Sequence, residues 1–182
     1  MAKSLLSPMT IMLLVAGVPQ AAEITEEQRV EQAVLPLPAH LRQAASVVKF
    51  DGGERIVLRD GDNGLICQPD DPDTPGIAIW CYPKSHDAYA RRWYQLAAEG
   101  RERAEVDEIV AAEIESGKLE WPDSAVNYNL RGPSLDNALS MTVVYIPFAT
   151  GESLGITEER DFHRPWLMYP GTAFAHIMIP GQ

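Results

Sequence analysis

Hydrophobic and polar positions alternate through the middle of the chain in short runs that end in turn chemistry. Ser46 to Phe50, Arg55 to Arg59, Leu65 to Gln68 and Ile77 to Tyr82 each read as a strand. Between them, Asp51-Gly52-Gly53 and Asn63-Gly64 supply residues that reach positive φ cheaply, so an antiparallel meander is predicted. Ahead of it, Thr25-Glu26-Glu27-Gln28 followed by Val30, Ala33 and Val34 predicts a short helix with Thr25 as its cap and Gln28 completing a capping box. After Tyr82 the period changes from two to 3.6. Tyr89, Trp93, Leu96 and Ala97 share one helical face, Ser85 or Asp87 suits its start, and Gly100 suits its end. A second helix carries Val106, Ile109, Val110 and Ile114 as its stripe and stops near Gly117. Strands return at Val126 to Arg131, Met141 to Phe148 and His176 to Ile179, separated before the last by a turn-rich connection from Thr150 to Thr172. This order predicts an α+β domain: a mostly antiparallel sheet of about six strands with the Asp87 to Gly117 helical pair packed on one face.

The amino terminus has a different pattern. Lys3, an apolar stretch from Met9 to Val18 and the small-residue exit Gln20-Ala21-Ala22 have the order of a secretory signal peptide. The apolar stretch is about half the roughly 20 residues a spanning helix needs. Residues 1–22 are therefore expected to be removed and residues 23–182 to form one domain without a membrane span, periplasmic or secreted. At 182 residues, 46% of them hydrophobic, the chain suffices for one sizeable core.

Export changes how the charge and the cysteines are read. Of the 15 basic residues, 14 remain after Lys3 is lost, against 26 acids, a net charge of −12 that repels phosphate backbones and makes nucleic acid an unsuitable partner. Cys67 and Cys81 lie in two strand-like runs around Asp71-Pro72-Asp73-Thr74-Pro75-Gly76. A hairpin centred near Thr74 sets them opposite each other, within reach of a disulfide in an oxidising compartment. The rival is a pair of buried free thiols.

Chemistry-bearing residues are few. Gly151-Glu152-Ser153-Leu154-Gly155 matches GxSxG and follows a strand, but the nucleophile elbow needs a parallel sheet and an apolar helix packing back on it, and Ile156 to His163 is mostly polar. Ser153 is then a loop serine unless Asp161, His163 or His176 reaches it. The histidines His40, His86, His163 and His176 show no HxH or HExxH spacing, so the one metal set to consider is His163 and His176 with Asp161. Asp60-Gly61-Asp62-Asn63-Gly64 imitates the start of a calcium loop, with its glycine one place early and no Glu at the twelfth position. A hairpin turn accounts for it better. Trp80, Trp93 and Trp121 suit the core or its edge, whereas Trp166, in Arg164-Pro165-Trp166 within the long connection, is placed to act as a ligand lid. No cofactor motif is present.

Tyr145-Ile-Pro-Phe-Ala149, Glu152-Ser-Leu-Gly155, Pro170-Gly-Thr172 and His176-Ile-Met178 together make the chain resemble a group of exported bacterial proteins with no assigned activity. The resemblance implies bacterial origin and export, and carries over no catalytic residue. The expected function is a non-catalytic module binding a small molecule or a protein, with the concavity between the sheet and the 149–172 connection as its site. The alternative is a small hydrolase on Ser153, or a metalloenzyme on His163, His176 and Asp161.

Overall fold

Residues 24–181 are described by a computed structural model, so the stretch expected to be a signal peptide lies outside the described residues. Thr25 caps α1 (Glu26–Ala33) through the reciprocal bonds of a capping box: its Oγ1 accepts from the Gln28 amide, and its own amide donates to Gln28 Oε1. The strands β1 (Ser46–Asp51), β2 (Glu54–Arg59), β3 (Leu65–Gln68) and β4 (Ile77–Pro83) come next. The helices α2 (Asp87–Ala98) and α3 (Arg103–Glu115) follow. The chain closes with β5 (Ala125–Gly132), β6 (Leu139–Tyr145), the short α4 (Gly151–Leu154), β7 (Trp166–Met168) and β8 (His176–Pro180). All eight strands form one sheet in the order β2-β1-β3-β4-β5-β6-β8-β7, so the α+β architecture holds, with more strands than the six expected. Among the additional ones is β7, too short to leave a period in the sequence.

The first four strands are not a simple meander. β1 and β2 form a hairpin, but β3 pairs with β1 in parallel, on the side away from β2. The loop from Asp60 to Gly64 is thus a step over the start of β1, not a hairpin turn. Its amides at Asp62 and Asn63 donate to the Ala44 carbonyl, and the Asn63 side chain donates to the Leu41 carbonyl. Gly61 permits the step, because a Cβ there would lie 2.4 Å from backbone atoms of Ala44, Ala45 and Ser46. The hairpin from β3 to β4 is regular. Asp71 accepts from the Asp73 amide and Asp70 from the Ala78 amide, so these turn carboxylates serve the backbone.

Both faces of the sheet are covered over part of their width. On one, Ala33, Val34 and Leu37, in and just after α1, pack on Val47, Cys67, Cys81 and Tyr128. Cys67 and Cys81 sit directly opposite each other on β3 and β4, are joined in a disulfide, and have no exposed surface. On the other face, Val48, Ile66, Tyr82 and Ala90 form a cluster under α2. Leu96, Val106 and Val110 hold α2 and α3 together. The start of α2 departs from expectation: His86 occupies the cap position, no side chain caps it, and a single 3₁₀ turn (Lys84–His86) leads in. Asp87, at the first position, instead pairs with Arg55 of β2 at 3.3 Å and Arg91 at 2.8 Å. Among the described residues no helix is long and apolar enough to cross a membrane.

Candidate functional site

β5 breaks the rule that polar residues of a half-covered strand face solvent. Along Val126-Asn127-Tyr128-Asn129-Leu130-Arg131 the sequence alternates apolar and polar, yet Asn127 is 3% exposed and Val126 is 38% exposed. The polar side of the strand lies under the α2–α3 hairpin, so Asn127, Asn129 and Arg131 face an interior cleft of about 230 Å³. Its sheet wall also includes Trp80 of β4 and Tyr145 of β6; its helix wall is Tyr89, Ala90, Trp93 and Tyr94 of α2 with Arg103 at the start of α3. Register explains the sheet wall, since Trp80 is the cross-strand partner of Asn129 and Tyr145 that of Ala125, and paired residues share a face.

The aromatic walls are held by their neighbours. Tyr94 stacks on Phe50 at 4.2 Å, Trp80 lies against Tyr82 at 4.3 Å, and Trp93 Nε1 donates to Asp107. Behind Tyr89 and Tyr145 a second ring cluster closes the inner end. His86 stacks on Trp121 at 4.5 Å and meets Tyr145 edge-on, while Trp121 donates its indole N–H to the Ala173 carbonyl. Asn127 is close enough to His86 to favour its cationic form, but burial dominates and lowers the imidazole to about 4. His86 Nε2 and Asn127 Oδ1 are both fully buried and have no other partner; with the ring proton on Nε2 they are donor and acceptor to each other.

The hydroxyls of Tyr89 and Tyr145 make no hydrogen bond among the described residues. Burial raises both, Tyr145 up to about 12, so both are neutral donors at physiological pH. Among the described residues no carboxylate lines the cleft; Asp71 and Asp107 act on Tyr94 and Tyr89 from outside the lining.

The residues singled out for catalysis sit elsewhere and do not converge. Ser153 is exposed and serves as the N3 residue of the α4 cap: its Oγ accepts from the Thr150 amide and donates to the Thr150 carbonyl, and Thr150 Oγ1 accepts from the Ser153 amide. Asp161 accepts from the His163 amide, the main reason its carboxyl is held below the usual range, and pairs with Arg164, which adds to the effect. His163 is exposed, whereas His176 is buried in β8 with Nδ1 2.7 Å from the Phe174 carbonyl oxygen. Among the described residues no three His, Cys, Asp or Glu side chains gather as an ion would require. Trp166 lies in the edge strand β7, 2% exposed, with Phe162 across it. The connection around it closes onto the sheet through Ala149, Leu154, Ile156, Leu167 and Ile177, so the cleft lies under α2 and α3 and not beside this segment.

Asn127, Asn129 and Arg131 were not singled out because their alternation looks like an ordinary solvated strand face. The available signal was the adjacency of that strand to two amphipathic helices that need a surface to cover. No family model, no curated protein and no solved structure matches the chain.

Proposed function

We propose that this protein is a non-catalytic exported module that binds a small molecule in the cleft between the α2–α3 hairpin and strands β4 to β6. The observation that carries the reading is the lining itself: Asn129, Arg131 and Arg103 are set among the rings of Trp80, Tyr89 and Tyr94. A flat-walled cleft with a few polar groups is the usual form of a small-ligand site. At about 230 Å³ it is smaller than the roughly 300–1,000 Å³ of sites that take drug-sized molecules, which suits a ligand of one ring. The Cys67–Cys81 disulfide supports a periplasmic or secreted location, since such bonds persist in oxidising compartments.

The test is a thermal-shift screen of metabolites on the oxidised protein, followed by tryptophan fluorescence, because Trp80 and Trp93 line the cleft. A ligand at 100 times its Kd stabilises the folded state by about 2.7 kcal/mol, which in a domain of this size raises the melting temperature by about 5–10 °C. Asn129→Phe fills the cleft and should abolish both signals. A screen without hits, or hits that Asn129→Phe leaves unchanged, refutes the site.

A further inference from the structure

Alternate residues of a strand share a face and stand about 7 Å apart, so Asn127, Asn129 and Arg131 form a line of about 13 Å on the cleft side of β5. The line runs from interior to solvent: Asn127 is buried, Asn129 half-buried and Arg131 exposed. Arg131 makes no ion pair among the described residues. Arg103, on the helix side of the cleft, has only a 3.7 Å contact with Asp107. The cleft of a protein with 26 acidic residues is thus lined by two exposed arginines and, among the described residues, by no carboxylate. The walls between are the flat rings of Trp80, Tyr89, Trp93, Tyr94 and Tyr145.

We propose that the cleft takes a small planar carboxylate, its anion on Arg131 and Arg103 and its flat body between the aromatic walls. The guanidinium fork matches a carboxylate in two parallel hydrogen bonds, and a cationic ligand would meet two like charges. Flat walls select a planar body over a tetrahedral anion such as phosphate. This inference rests on the binding reading above.

The probe is 4-hydroxybenzoate, measured by calorimetry on the oxidised mature protein beside 4-hydroxybenzamide, which lacks the charge. The acid should bind about 10-fold tighter than the amide. Arg131→Met, at an exposed position that leaves the fold intact, should bring the acid-to-amide ratio close to one without weakening the amide. Equal affinity for acid and amide, or a ratio that Arg131→Met does not change, overturns the carboxylate. If neither probe binds but another compound does and Asn129→Phe blocks it, the ligand class is wrong and the cleft stands. If nothing binds in a manner that Asn129→Phe blocks, both fall.

Discussion

Reducing the Cys67–Cys81 disulfide tests how much of the stability depends on the compartment. The two residues are 14 apart in sequence, so the bond closes a loop of about 15 residues. By chain entropy, opening that loop in the unfolded state costs the native state about 3 kcal/mol, a large part of the 5–15 kcal/mol typical of a domain. Reduction is chosen over mutation because both sulfurs have no exposed surface, and Ala or Ser would add a cavity or an unpaired hydroxyl. Cys81 Sγ lies 3.4 Å from the Ala33 carbonyl oxygen, so the free thiol gains a weak bond that makes 3 kcal/mol an upper figure. The assay is urea and thermal unfolding, followed by tryptophan fluorescence, of protein refolded with and without a thiol reductant. The expected difference is a melting temperature lower by about 6–12 °C in the reduced form, with the fold retained. Midpoints that coincide within about 1 °C would refute the reasoning. Native protein should also resist reduction until α1 lifts from the sheet.

Other perturbations separate the charge effects. Glu113 accepts from both Arg92 and Lys118, which hold it near 2; its contribution is present above about pH 4.5 and is lost as the pH falls through 2. Glu113→Gln should lower stability at pH 7 by about 1–2 kcal/mol in urea titrations and flatten that acid limb. His86, buried and lowered to about 4, binds its proton more readily when unfolded, so stability should decline between about pH 6.5 and 4; His86→Phe should flatten that window. His176 is lowered for the same reason and adds a limb of the same sign that the variant leaves in place. Ser153→Ala should cost about 0.5–1 kcal/mol as a lost cap, and a fluorophosphonate probe should leave Ser153 unmodified; labelling would revive a nucleophile there.

Local signals determined a good deal of the molecule. Thr25 and Gln28, three residues apart, specify a capping box with no help from the rest of the chain. The symmetric placement of Cys67 and Cys81 about Thr74 specifies the register of β3 and β4. The apolar stripes of α2 and α3 foretell which residues bury, since Leu96, Val106 and Val110 depend only on a 3.6-residue period. These features arise from neighbours within about 15 positions, where the chain has few ways to arrange itself.

What tertiary structure alone decided is which face of each element meets which other. The Asp60 to Gly64 segment has the composition of a hairpin turn, and only the parallel pairing of β1 with β3 makes it a step over a strand. β7 is three residues long, below the length at which periodicity exists, and is a strand because β8 offers an edge. Asn127 shows the same limit at the site. Alternation states that Asn127, Asn129 and Arg131 share a side of β5, and is silent on whether that side faces water or a pair of helices. The α2–α3 hairpin, contributed by residues roughly 10 to 40 positions earlier, turns an ordinary polar face into an aromatic-walled cleft with two arginines. Burial is a property of the packed whole, and so the pattern along one strand does not encode it.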